Sequence, residues 1–182
     1  MTTSPEQAHE TAAAADGAAL TFRGVDHVSL TVTNLNVSAR FYTEVLGFTV
    51  VLDFGYALVC MHKATGFMLS LIRHPDGSGT RFTHRQTGLD HLGLTARNRA
   101  ELLGWEQRLR ELDVEFTPVR DSELGHHLNL RDPDGIALEF YAPNDRLSAA
   151  LDELRSRKFS DEVLLDGAEQ LGLGAYVARR IS

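Results

Sequence analysis

Two histidines and one glutamate occupy matched places in a repeated sequence pattern. His27 lies in the segment Asp-His-Val-Ser-Leu-Thr, and His91 lies in Asp-His-Leu-Gly-Leu-Thr, 64 residues later. Glu139 lies in Gly135–Phe140, which matches Gly66–Leu71 at an offset of 69 residues. Two neutral imidazoles and one carboxylate bind a divalent metal and leave positions open for substrate or dioxygen. The sequence therefore predicts a metal site made by His27, His91 and Glu139.

A simpler interpretation exists for each of these residues taken alone. A single strand histidine is more often a hydrogen-bonded core or surface residue than a ligand. The repeat favours the metal site, since a buried Glu139 without a cation would be costly. Ser70 occupies the place in the first repeat that Glu139 occupies in the second. Because a neutral hydroxyl is a poor ligand for these metals, we expect three protein ligands.

Three further side chains are candidates for proton chemistry. His126 and His127 are consecutive on a predicted strand, so one of them must face the metal site. That histidine is a candidate general acid or base near neutral pH, and a solvated strand end is the alternative. Tyr141 shares a strand face with Glu139 and is a candidate hydrogen-bond donor to an oxyanion, with core packing as the alternative.

The elements that must carry these residues can be read from hydrophobic periodicity. Residues 25–32 alternate apolar and polar side chains, as in a half-buried strand, and 35–46 have the spacing of an amphipathic helix. Strands follow at 48–54, 56–62 and 67–73. The order then repeats, with a strand at 90–95, a helix at 99–112 and strands near 114–119, 126–131 and 136–141.

This repetition predicts an α+β fold of two tandem βαβββ modules, residues 22–75 and 88–143, within one domain of residues 21–143. We expect the modules to associate as a cupped mixed sheet around the metal site. Cys60, the single cysteine, lies in an apolar stretch that favours a buried thiol. The repeat alignment places it opposite Asn129, which would instead turn it toward the cup.

The flanking segments differ from the modules. Residues 1–20 lack hydrophobic periodicity and are expected to be a disordered tail. Residues 144–182 are expected to form a helical extension, with leucines on one helix stripe and a second helix between Ser160 and Gly172. This extension would cover an apolar face or a sheet edge, or make a subunit contact, and we expect a homodimer.

Composition excludes several classes of protein. The 182 residues carry a formal net charge of −7, which argues against binding to nucleic acid or to an anionic membrane surface. No apolar run approaches the roughly 20 residues of a membrane span, and no secretory signal is present, so a cytoplasmic location is expected. A lone cysteine excludes an intramolecular disulfide.

The segments VDHVSLTV…SARFYTEVLGF and GLDHLGLTA…RDPDGIALEFY resemble the vicinal oxygen chelate superfamily over about residues 22–143. That superfamily includes glyoxalase I, methylmalonyl-CoA epimerase, extradiol dioxygenases, fosfomycin-resistance transferases and metal-free bleomycin-binding proteins. The resemblance implies paired modules around a divalent metal, with His27, His91 and Glu139 at the ligand positions.

Two positions depart from the relatives and rank the reactions. Glyoxalase I and the epimerases have Glu or Gln where this chain has Ser70, and the dioxygenases have a Tyr near the place of Asn129. The three-ligand set favours a dioxygenase acting on a small chelating substrate, with Fe(II) favoured and Mn, Ni, Co or Zn as alternatives. A glyoxalase-like lyase or isomerase, with His126 or His127 as base, and a metal-free binding protein are the other hypotheses.

Overall fold

The computed structural model describes residues 22, 24–155 and 161–172. The predicted tail, residues 1–20, and the last ten residues of the predicted extension lie outside this part of the chain. The first module consists of one short helix and four strands. Its elements are β1 (His27–Thr31), α1 (Leu35–Arg40), β2 (Phe48–Asp53), β3 (Ala57–His62) and β4 (Met68–Ile72).

The second module repeats this order with a longer helix. Its elements are β5 (Leu92–Thr95), α2 (Arg99–Glu111), β6 (Phe116–Asp121), β7 (Gly125–Arg131) and β8 (Ala137–Pro143). Strand β6 begins two residues later than the periodicity predicts. The α+β fold of two tandem βαβββ modules is confirmed.

Each module forms its own four-stranded mixed sheet. The strand orders are β1-β4-β3-β2 and β5-β8-β7-β6, with the first pair parallel and the others antiparallel. In these sheets Ser29 pairs with Ser70, and Gly93 pairs with Glu139. The two pairs are equivalent, so the register agrees with both sequence offsets.

The first helix begins with a side-chain cap and ends in a wider turn. The Asn34 carboxamide oxygen accepts hydrogen bonds from the N–H groups of Asn36 and Val37, at 3.0 and 3.2 Å. After Arg40 the chain continues as a π-helical segment, Phe41–Val45, inside the stretch predicted to be one regular helix. Such segments insert an extra residue per turn. Here the segment contains the buried side chains of Tyr42 and Val45.

Alternating side chains from both sheets and one face of each helix form a single hydrophobic core. In β8, the side chains of Leu138, Phe140 and Ala142 are buried, and the indole of Trp105 on α2 stacks on the Phe140 ring at 4.3 Å between centroids. The alternate residues of β8, Glu139 and Tyr141, face the opposite side of the sheet. The packing against α2 therefore fixes which β8 side chains are left for chemistry.

Two buried carboxylates join the modules. The turn between β7 and β8 contains Asp132 and Asp134, which are 2% and 7% exposed. The Tyr42 hydroxyl donates to Asp132 Oδ2 at 3.1 Å, and the Thr33 N–H donates to Asp134 Oδ2 at 3.1 Å. Ser38 Oγ also lies 3.4 Å from that oxygen. Two carboxylates in a turn of the second module thus accept hydrogen bonds from groups of the first module. We call these contacts the carboxylate clasp.

Two helices follow β8, α3 (Asp145–Arg155) and α4 (Asp161–Gln170). They pack against each other closely, because a Cβ at Gly167 would lie 3.3 Å from the Leu154 side chain. Helix α3 also contacts β8. Among the described residues, no helix combines the length and the apolar character needed to cross a bilayer.

Candidate metal centre

Each predicted histidine ligand is oriented by the aspartate that precedes it. Asp26 Oδ2 lies 2.7 Å from His27 Nδ1, and Asp90 Oδ1 lies 2.7 Å from His91 Nδ1. A carboxylate accepts a hydrogen bond here, so Nδ1 carries the proton and Nε2 of the neutral ring keeps its lone pair. Carboxylate partners of this kind commonly orient histidine ligands of metals. The hydrogen bond from His91 also lowers the pKa of Asp90.

His91 and Glu139 come together on one face of the second sheet. His91 directly precedes the first residue of β5, and Glu139 lies in β8, the strand that pairs with β5. Their nearest atoms, His91 Nε2 and Glu139 Oε2, are 3.4 Å apart. This is longer than the usual range of a hydrogen bond. His91 and Glu139 would instead be available to hold one divalent cation together.

The electrostatics of this pair also fit a cation. The Nε2 lone pair of neutral His91 faces a carboxylate oxygen, and Glu139 is only 16% exposed. Two acceptor atoms that face each other require a proton or a metal ion between them. The donor set, imidazole and carboxylate, is suited to a divalent first-row metal.

The third predicted ligand lies apart from this pair. His27 begins β1, its side chain is 49% exposed, and its hydrogen-bond partner is Asp26. In residues 22, 24–155 and 161–172, no group of three or more His, Cys, Asp or Glu side chains is arranged to hold a metal. The structure brings His91 and Glu139 together but not His27. The metal site with three ligands therefore stays a prediction.

His127 is the histidine of the consecutive pair that shares a face with Glu139. Its Nδ1 lies 2.8 Å from Glu139 Oε1, and its Nε2 lies 2.8 Å from Ser122 Oγ. Its ring also lies 4.9 Å from the Tyr141 ring, centroid to centroid. The Tyr141 hydroxyl donates to the Leu124 carbonyl oxygen at 3.0 Å, and burial raises the pKa of this phenol.

His126 points to the other side of β7. Its Nδ1 lies 2.7 Å from Asp121 Oδ1, and Asp121 also accepts from Arg99 Nε at 2.9 Å. The alternation of β7 separates His126 from Glu139, so the two histidines have different environments. Their roles in proton chemistry stay predictions.

Cys60 does not face the cup. It pairs with Leu69 and is fully buried in the core, and burial raises the pKa of its thiol. Val59, which pairs with Ser70, is the equivalent of Asn129, which pairs with Glu139. The alignment of Cys60 with Asn129 was wrong by one residue, and a shift of one residue in a strand exchanges the two faces.

A cavity of about 470 Å³ lies away from the paired ligands, between β1 and the segment that links the modules. Its lining includes Ser29, Thr31, Arg73 and Arg81, and it contains neither His91 nor Glu139. The paired ligands are therefore not part of this cavity, and their side chains are 43% exposed for His91 and 16% for Glu139.

Three residues that contact the candidate site residues, Asp26, Asp90 and Ser122, are not among those predicted from the sequence. The dipeptide Asp-His, repeated at the start of β1 and just before β5, was the available signal for the two aspartates. Ser122 had no comparable signal, since its contact with His127 depends on the conformation of the β6–β7 turn.

Comparison with known proteins agrees with this architecture. The family model of the Glyoxalase/Bleomycin resistance protein/Dioxygenase superfamily matches residues 24–140. The chain belongs to this superfamily. No curated protein matches the sequence.

Solved structures show the same fold. A glyoxylase/bleomycin resistance protein/dioxygenase domain from Frankia sp. EAN1pec is 32% identical with a TM-score of 0.62, covering 68% of this chain and 100% of that one. A lactoylglutathione lyase from Agrobacterium tumefaciens is 22% identical with a TM-score of 0.53, covering 66% and 93%. A mutant of the fosfomycin resistance protein FosX from Listeria monocytogenes, complexed with Mn(II) and dihydroxypropylphosphonic acid, is 18% identical with a TM-score of 0.56, covering 70% and 95%.

Proposed function

We propose that this superfamily member is a divalent-metal-dependent enzyme that acts on a small substrate with two adjacent oxygen atoms. The observation that carries the proposal is the pair of His91 Nε2 and Glu139 Oε2 at 3.4 Å. When Asp90 holds the proton of neutral His91 on the far nitrogen, a metal ion bound by both atoms would satisfy them.

His27, His91 and Glu139 would hold the ion, with Fe(II) favoured over Mn, Ni, Co and Zn. A bound ion supplies Lewis acidity to the substrate oxygens and, as iron, redox chemistry with dioxygen. We propose a dioxygenase as the leading reaction class, since a 2-His-1-carboxylate set is the ligand pattern of non-haem Fe(II) oxygenases. This class rests on the ligand types alone.

The other residues of the polar face prepare the ligands and the substrate. Asp26 and Asp90 favour the tautomer of each neutral imidazole in which Nε2 is free to coordinate. Tyr141 is held by the Leu124 carbonyl, so its ring limits the space beside His127. Asn129, the neighbour of Glu139 on β7, is exposed and offers an amide to a substrate oxygen.

We further propose that a second copy of the chain supplies the third ligand. Module two has the His91–Glu139 pair, whereas module one has His27 with Ser70 in the place of the glutamate. The two half-sites are therefore complementary. His27 is half-exposed and already oriented by Asp26, as a ligand offered to a partner would be. A homodimer with two such sites follows.

Metal content is the first test. Elemental mass spectrometry on protein purified without chelator should give near one equivalent per chain in the wild type, and much less in Glu139→Ala. The metal that is found indicates which reaction class, dioxygenase or lyase, is favoured. Little metal in either protein, after anaerobic incubation with Fe(II), Mn(II), Ni(II) and Zn(II), would favour the metal-free binding protein.

Oxygen uptake tests the reaction class. Fe(II)-loaded protein should consume oxygen with at least one of a panel of catechols, enediols and 2-oxo acids, and Glu139→Ala should not. Absence of uptake with the whole panel, in protein that retains iron, would overturn the dioxygenase.

A glyoxalase-like lyase is the second candidate, favoured by the place of His127 beside Glu139. As a base, His127 would need a free Nε2. The Ser122 hydroxyl has a second acceptor, the Gly125 carbonyl oxygen at 3.0 Å, so rotation of its proton would release that nitrogen. Formation of a thioester from a hemithioacetal, lost in His127→Ala and kept in His126→Ala, would support this reaction.

A further inference from the structure

A chain of three side chains ends at the carboxylate of Glu139. Ser122 Oγ, in the turn between β6 and β7, lies 2.8 Å from His127 Nε2. His127 Nδ1 in turn lies 2.8 Å from Glu139 Oε1. The other carboxylate oxygen, Oε2, is the one that faces His91. The two carboxylate oxygens of Glu139 thus have different neighbours, His127 for Oε1 and His91 for Oε2.

The donors and acceptors of this chain can be assigned from their chemistry. A carboxylate accepts, so the proton of the neutral His127 ring lies on Nδ1 and points to Oε1. Nε2 is then an acceptor for the Ser122 hydroxyl at 2.8 Å, and the Gly125 carbonyl oxygen, at 3.0 Å, is the second acceptor for the same hydroxyl. Both bonds have the length of good hydrogen bonds. A rotation of Glu139 would break the first of them.

The surroundings of His127 limit its movement. The Gly125 N–H donates to Ser122 Oγ at 3.3 Å and holds the hydroxyl in its turn. The Tyr141 ring lies against the His127 ring, and the main chain at Gly125 is in close contact with Tyr141, since a Cβ there would lie 2.8 Å from the Tyr141 hydroxyl oxygen. An imidazole confined on one side and bonded at both nitrogens keeps a fixed orientation.

We propose that His127 is a positioning residue, held by Ser122, that fixes the Glu139 carboxylate so that Oε2 is directed at the metal. This inference rests on the proposed function, because it assigns a partner to a proposed ligand. It gives His127 a task in binding the ion that is independent of the reaction class. Removal of such an outer partner weakens metal binding by about 10- to 100-fold.

Binding of Mn(II) alone tests the proposal without an activity assay. Free Mn(II) is measured by its electron paramagnetic resonance signal during titration of the wild type and of His127→Leu, His127→Asn and Ser122→Ala. We expect His127→Leu to bind about 10- to 100-fold more weakly. His127→Asn, whose amide N–H replaces Nδ1–H, should recover most of the affinity, and Ser122→Ala should lie between His127→Leu and the wild type. His126→Leu, a matched change on the other face of β7, should bind like the wild type.

Three results would overturn the proposal. Wild-type affinity in a folded His127→Leu would show that Glu139 needs no partner. Equal losses in His127→Leu and His127→Asn would show that the ring matters for packing and not as a donor. If the wild type and Glu139→Ala bind Mn(II) equally, the metal site itself fails, and with it the proposed function. Thermal unfolding of each variant separates loss of fold from loss of affinity, and Ser122→Ala provides the test if neither His127 variant folds.

Discussion

Removing one hydroxyl from the carboxylate clasp should measurably weaken the whole fold. Tyr42 is 1% exposed, and its hydroxyl is the donor to Asp132 Oδ2, whereas Oδ1 accepts from the N–H groups of Asp134 and Ile136 at 2.9 and 2.7 Å. Tyr42→Phe keeps the ring and leaves Oδ2 without this donor. A hydrogen bond to a charged group contributes about 1.5–3 kcal/mol, so we expect the free energy of unfolding to fall by that amount at pH 8.

The loss should depend on pH with a definite sign. Burial raises the pKa of Asp132 above its ordinary value of 3.8, and the bond from Tyr42 opposes that rise. The raised pKa stabilises the fold at low pH, and this contribution is lost as the pH rises through the folded pKa. As the pH falls through this raised pKa the carboxyl gains a proton, and the Tyr42 bond becomes a neutral one of about 0.5–1.5 kcal/mol. The effect of Tyr42→Phe should therefore be smaller at pH 4 than at pH 8.

Urea denaturation at both pH values measures these differences. Tyr56→Phe is the control, since that ring is 61% exposed and the change should alter stability by less than about 0.5 kcal/mol. In an Asp132→Asn background, the cost of Tyr42→Phe at pH 8 should fall to the neutral value. A cost below about 0.5 kcal/mol, or equal costs at the two pH values, would refute the assignment of Asp132 as a buried, charged acceptor.

Further predictions concern the ligands and the turn that carries Ser122. Asp90→Asn should weaken Mn(II) binding by about 10- to 100-fold, whereas Asp76→Asn in the linking segment should not. When His27→Ala and Glu139→Ala proteins are mixed and allowed to exchange subunits, one intact site per mixed dimer should appear as recovered Mn(II) binding, and a site within one chain would recover none. Gly125→Ala should lower the free energy of unfolding by about 1–3 kcal/mol, because its Cβ would clash with the Ala142 carbonyl oxygen. Its control, Gly104→Ala on the exposed face of α2, meets no atom within 4 Å and should stabilise the helix by about 0.5–1 kcal/mol in the same urea titrations.

The fold was predictable because its signals are local and repeated. Alternation over residues 25–32 and the matched segments around His27 and His91 identify strands, and the equal element order identifies two modules. The register pairs that contain Ser70 and Glu139 agree with the sequence offsets. The fold prediction is strong because the same pattern of elements occurs twice in the chain.

Other features depend on contacts that no local pattern encodes. The interaction of Tyr42 with Asp132 spans 90 residues, so the Asp-Pro-Asp-Gly turn could be read only as a turn. A shift of one residue in the alignment of the two modules decides which face of β3 the Cys60 side chain occupies. The choice between His126 and His127 needed the observed pairing of β7 with β8.

Because of the carboxylate clasp, the covalent connection between the modules and the recognition between them depend on different parts of the chain. Residues 73–81, which connect the modules, are exposed and contain no helix or strand. Recognition between the modules instead comes from Asp132 and Asp134 and from the shared core. A chain cut between Gly77 and Ser78 would therefore lose its covalent continuity but keep its complementary surfaces, and the two fragments would reassociate as a stoichiometric complex. The same independence leaves this segment open to insertions, and to circular permutation with new termini there.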